Sequence, residues 1–159
     1  MHPRLLTKSL LAATLLASTL SCTKKDAEAP TPLRGTGSYK VGGRPVSGIS
    51  LAFVYTNTTQ KTDRLSIVLS DTPVYQSNTQ TVFLIFEKPT DRPSTAYQLT
   101  EMSYTPDNTN NFNKVSFTND VTTLQETSPG VFSGTFSGTS TSSGIAYTLS
   151  EGIFTDARL

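Results

Sequence analysis

The sequence predicts an all-β protein: a single antiparallel β-sandwich or flattened up-and-down barrel of about eight or nine strands, after an N-terminal signal and tether. Three observations carry this. Short β-rich runs recur from about residue 38 onward, many alternating apolar and polar side chains. Clusters of Gly, Pro, Asn and Asp punctuate them as turns. No segment shows the 3.6-residue apolar period of an amphipathic helix.

Residues 38–41 and 45–46 flank Gly42-Gly43, a pair able to take the positive φ of a tight hairpin turn. Leu51, Phe53 and Tyr55 then alternate with Ala52 and Val54. After a polar loop at 57–63, Leu65, Ile67 and Leu69 alternate with Ser66 and Val68, so each run predicts a strand with one clearly apolar face. Asp71-Thr72-Pro73 breaks the chain. Residues 79–87 are apolar on both sides, with Val82, Leu84 and Phe86 on one face and Phe83 and Ile85 on the other. Together with Val54 and Val68, one of these two sets lies opposite the main core. That second apolar face predicts either a covering loop or a groove for a lipid-like ligand or a partner.

Pro89 and Pro93 enclose a turn, and residues 96–104 bring Tyr97, Leu99, Met102 and Tyr104. Residues 107–111 form a polar tip before Val115 and Phe117, and 121–125 predict a short further strand. Thr127-Ser128-Pro129-Gly130 has the central Pro and Gly of a type II turn. The chain closes with strands at 131–139 and 145–154 around a Ser/Thr/Gly tip at 140–144. Gly134 and Gly152 inside them predict bulges or sharp bends. Run up and down in order, these strands place loops 57–63, 89–94 and 140–144 at one rim. Loops 71–78, 105–111 and 127–130 fall at the other, with Tyr75 near Tyr104.

The first 36 residues belong to a different regime. Arg4 and Lys8 precede the apolar run Leu10-Leu11-Ala12-Ala13-Thr14-Leu15-Leu16-Ala17, and no acid stands before Cys22. That is the plan of a secretory signal over residues 1–21, with an apolar core about half the ~20 residues of a spanning helix. Leu20-Ser21-Cys22 resembles a bacterial lipobox, although Thr19 stands where Leu is commonest and Leu20 comes one place later. The resemblance implies that Cys22 is the acylated N-terminus of the mature protein. Residues 22–36 then form a tether of charged residues and prolines. Its 14 residues after the cysteine reach up to ~40 Å at ~3.1 Å per residue. Lys24-Lys25-Asp26-Ala27-Glu28 loosely resembles the Lys-plus-acid segment of surface-exported lipoproteins. The folded domain is expected at 37–159.

Gly130-Val131-Phe132-Ser133-Gly134-Thr135-Phe136-Ser137-Gly138-Thr139 and residues 147–155 look like the closing hairpin of small β-rich lipoproteins of the Bacteroidota. With the early Gly-Ser-Tyr-Lys-Val-Gly-Gly turn, that resemblance spans most of the mature chain. It implies an outer-membrane lipoprotein of the cell envelope and attaches no activity, cofactor or catalytic residue.

Composition narrows the chemistry. The 13 Lys and Arg and 12 Asp and Glu become 11 against 12 once Arg4 and Lys8 are set aside, and no basic run exists beyond Lys24-Lys25. Nucleic acid is therefore not an expected partner. The one His is His2, and the one Cys is Cys22. A folded domain with neither has no Ser-His-Asp or Cys-His catalysis and no usual zinc or copper site, so the expectation is a non-enzyme without cofactor or metal.

Carboxylate chemistry is what remains: Asp63, Asp71, Glu87, Asp91, Glu101, Asp107, Glu126, Glu151 and Asp156 could supply a glycosidase pair only if two met across a cleft. Residues 107–111 superficially resemble a calcium loop, but Phe112 stands where glycine is required. Tyr75 and Tyr104 at loop edges could stack on a sugar, though no Trp is present. The expected partners are the membrane, through the lipid on Cys22, and an envelope protein, a glycan or an apolar ligand. The alternatives to a presented β domain are a lipocalin-like carrier with an empty apolar interior and a carbohydrate-binding module.

Overall fold

A computed structural model describes residues 34–72, 79–106 and 114–159. They form nine strands: β1 Gly35–Val41, β2 Arg44–Asn57, β3 Thr62–Ser70, β4 Thr81–Pro89, β5 Gln98–Thr105, β6 Val115–Phe117, β7 Asn119–Ser128, β8 Val131–Ser142 and β9 Ile145–Arg158. The one helical piece among the described residues is a 3-10 turn at Ser94–Ala96. The domain begins at Gly35, so Gly35 and Thr36, read from sequence as tether, belong to a strand. The short runs at 45–46 and 51–55 are parts of one strand, β2.

Every pairing is antiparallel, in the order β6-β5-β4-β3-β2-β1-β9-β8-β7. The chain is thus a meander wrapped on itself, with its first and last strands side by side (Gly37↔Phe154). A ring of nine strands cannot alternate direction all the way round. The chain resolves this at Thr118. There β6 and β7 run in the same direction, parted by one residue; β6 pairs with β5 (Ser103↔Ser116) and β7 with β8 (Val121↔Ser137). The barrel therefore has eight strand positions, one of them shared.

That shared strand corrects the expected rims. Turns 58–61, 90–97 and 129–130 lie at the rim where β1 begins, and turns 42–43 and 143–144 lie at the opposite one. Strand order read from sequence puts 140–144 and 127–130 the other way round, because a separate strand at 121–125 shifts the parity of everything after it.

At the rim where β1 begins, the sheet opens between β2 and β1. The β1–β2 ladder starts at Gly35↔Ser50, while β2 continues for seven more residues, Leu51–Asn57, paired with β3 alone among the described residues. Across the molecule, β5 meets β6 only over Met102–Tyr104. The seam below is occupied by the Ser94–Ala96 turn and by Tyr97, whose ring meets Phe132 edge-on at 6.4 Å. Of the two expected shapes, the strands take the barrel-like one, a single nearly closed nine-stranded sheet.

The interior is filled. Leu65, Ile67, Val82, Leu84 and Met102 are 0% exposed, and Leu149 and Phe154 1%, so side chains occupy the centre of the barrel. Tyr39 lies among them with its ring 6.1 Å from that of Phe136. The predicted bulges fall near both glycines, with register shifts between Phe132 and Gly134 and between Phe136 and Gly138. Each glycine faces an aromatic across the ladder, Gly134↔Phe154 and Gly152↔Phe136. Added Cβ atoms would lie 2.6 Å from each ring. Gly42 and Gly43 both have positive φ, 54° and 83°, as a two-residue hairpin turn requires.

Register decides which face of β2 is inside. Ala52 pairs with Ile67 and Val54 with Leu65, both core residues, so Leu51, Phe53 and Tyr55 point outward. This reverses the expectation from their alternation. On β4, Val82, Leu84 and Phe86 face inward and Phe83 and Ile85 outward.

Candidate functional site

Cys22 lies outside the described residues, as do Tyr75, Asp107 and the polar tip at 107–111. Tyr104, expected at a loop edge, is instead 4% exposed inside the barrel, where its hydroxyl donates to Gln80 Oε1 at 2.9 Å. Burial raises its pKa and those of Tyr39 and Tyr97. A buried ring offers no platform for a sugar.

Among the described residues, five of the candidate carboxylates have cationic or hydrogen-bonding partners. Asp63 on β3 accepts from Lys88 Nζ at 2.6 Å and Thr56 Oγ1 at 2.7 Å, and the Lys88 bond is the chief cause holding it below the ordinary aspartate range. Glu101 pairs with Lys114, with Arg64 at 4.0 Å, and is lowered chiefly by Lys114. Glu126 is lowered chiefly by the Ser94 hydroxyl, then by the Gly130 amide at 2.8 Å. Glu151 pairs with Lys40 at 2.6 Å, and Asp71 accepts from the Gln80 amide at 3.1 Å. A glycosidase acid needs the opposite shift, since it must hold its proton near neutral pH. Among the described residues, no group of three or more His, Cys, Asp or Glu is placed to hold a metal, and no helix is long and apolar enough to cross a membrane.

The feature that stands out is on the outside. Leu51, Val68 and Phe83 lie opposite one another in one row across β2, β3 and β4, and Phe53, Ser66 and Ile85 lie in the next. Val68 and Ile85 are buried, whereas Phe53 and Tyr55 are 55% and 67% exposed, and Val54, which shares the inner side with Leu65 but sits near the rim, is 42% exposed. Three consecutive large apolar residues thus reach solvent on the half of β2 that has only one described strand beside it. Scans against protein-family profiles, curated proteins and solved structures match nothing. The site has to be read from its own chemistry.

The sequence predicts a second apolar face but assigns Phe53 and Tyr55 to the core. The signal that could have found them is the small residue between Leu51 and Phe53. Ala52 suits a crowded interior, and a face of Leu, Phe and Tyr there would overfill it beside Leu65 and Ile67.

Proposed function

We propose that the chain is a non-catalytic lipoprotein of the cell envelope, acylated on Cys22 and held at the outer membrane, that presents its β barrel as a binding or docking module. The observation that carries this reading is the position of the single cysteine. It follows a charged and then apolar signal and precedes a charged, proline-containing tether that leads into the first strand thirteen residues later. Support comes from the packed interior, from carboxylates committed to cations and backbone amides, and from an outward apolar row better suited to contact than to chemistry.

A carrier of an apolar ligand would need a chamber, and the fully buried side chains at the barrel's centre leave none beside them. The test is fractionation with mass analysis of the N-terminus. The native chain is expected in the membrane fraction with acyl groups on Cys22, and Cys22→Ser in the soluble fraction. A Cys22→Ser protein recovered wholly in the membrane would overturn the anchor.

A further inference from the structure

Resting on the lipoprotein reading, we infer that the β2–β3 hairpin is a second membrane contact, laying the outward-facing Phe53 and Tyr55 against the phospholipid interface to which Cys22 is tethered. Position supports this first. The tether joins the barrel at Gly35, at the rim from which this hairpin projects. Twelve residues, Thr23 to Arg34, separate Cys22 from that point, a reach of at most about 45 Å. The hairpin runs seven residues past Gly35, about 23 Å of strand. About half of the tether's full reach is therefore spanned by the hairpin itself.

The chemistry of the hairpin fits a phospholipid interface. Phe53 is purely apolar, and Tyr55 combines an apolar ring with a hydroxyl, the kind of side chain that settles at the boundary between acyl chains and headgroups. Around them the exposed Thr58, Thr59 and Lys61 offer hydroxyl and cationic groups to phosphates, while Thr56 and Arg64 are engaged with Asp63 and Glu101. A second copy of the chain is the poorer occupant. Phe53 and Tyr55 present on the order of 250 Å², well short of the ~800 Å² per partner of a stable interface. An interfacial contact needs no such area, because the acyl anchor already holds the protein at the surface and only orientation remains to be fixed.

The chain contains no Trp, so an introduced one is a clean reporter. Phe53→Trp places the indole on the hairpin, and Ile145→Trp places it at the opposite rim on a residue 57% exposed. Each full-length variant is expressed with its signal and reconstituted into phosphatidylethanolamine/phosphatidylglycerol vesicles, with and without brominated acyl chains. Mass analysis of the N-terminal peptide scores acylation separately. Brominated lipid is expected to quench the indole of Phe53→Trp and spare that of Ile145→Trp.

Acylated Phe53→Trp protein that stays unquenched, or quenching alike in both variants, overturns the contact and leaves the anchor standing. Quenching of Phe53→Trp in protein with an unmodified Cys22 keeps the contact and overturns the anchor. A blue shift of Phe53→Trp emission that grows with protein concentration in vesicle-free buffer means that a second copy covers the hairpin, which also overturns the proposal. As a second measurement, Tyr55→Ser added to acylated Phe53→Trp, with unchanged melting, is expected to weaken the quenching by brominated lipid roughly twofold or more. Undiminished quenching would count against the hairpin.

Discussion

The hydroxyl of Ser50 on β2 reaches past the start of β1 to the carbonyl oxygen of Thr155 on β9, 3.2 Å away, while lying 3.1 Å from the Thr36 carbonyl. It is 0% exposed and stands where the β1 ladder begins. Ser50→Ala removes a buried donor shared by two carbonyls and is expected to cost about 1–2 kcal/mol. Urea unfolding measures it, and hydrogen exchange should show faster opening at Thr36 and Gly37. An unchanged midpoint would mean that the ladder alone holds the seam.

Acid sensitivity follows from the lowered carboxyls. Asp63, Glu101 and Glu126 each have a folded pKa below the unfolded value, 3.8 for Asp63 and 4.5 for the glutamates. Their contribution is complete above those unfolded values and is lost as pH falls through the folded ones. Stability should therefore be flat near neutrality and decline below about pH 4. Asp63→Asn should flatten part of that decline. It should also cost about 1–3 kcal/mol at neutral pH, because the Lys88 side chain, 9% exposed, loses its counter-ion. Urea midpoints from about pH 3 to about pH 8 test both statements.

Tyr39 supplies a prediction of the opposite sign. Its hydroxyl is buried without a hydrogen-bond partner among the described residues, and burial raises its pKa. Tyr39→Phe keeps the ring against Phe136 and removes the orphaned group, so it should stabilise by about 1 kcal/mol. A lower melting temperature would show that the hydroxyl has a partner after all.

Gly134→Ala should destabilise by about 1–3 kcal/mol or more, since an added Cβ would lie 2.1 Å from the Thr123 carbonyl oxygen as well as 2.6 Å from Phe154 Cζ. The closer clash is with backbone. Shortening the ring in Gly134→Ala/Phe154→Leu should therefore give no rescue, and a double-mutant cycle on thermal stability checks that.

Much of the fold was legible because alternation and turn residues are local. The Gly42-Gly43 hairpin, the Pro129-Gly130 turn, with φ 73° at Gly130, and the bulges beside Gly134 and Gly152 follow from backbone needs that particular residue types meet. Which face of a strand is buried, and which rim a loop joins, were not legible, because the first hangs on single-residue register and the second on strand count. The loop read as 57–63 closes at Asn57↔Thr62, and a slip of one residue there moves Phe53 and Tyr55 from outside to inside. Likewise Thr118 carries no turn signal, yet it decides whether 115–128 is one strand or two. The candidate site fared similarly. An apolar outer face could be expected from β4, while its exposed residues on β2 depended on that register.

The adjacency of β1 and β9 has a consequence for how the molecule comes into being. β1 meets β2 across a two-residue turn, but its other neighbour is the last strand of the chain. Contacts so distant in sequence form slowly, because a long loop must close before they contribute. Until β9 emerges, β1 is a sheet edge with unpaired amides and carbonyls along its length. The barrel's integrity thus depends on its final residues arriving, and a chain stopped short of β9 would leave that edge open to strand pairing with its neighbours.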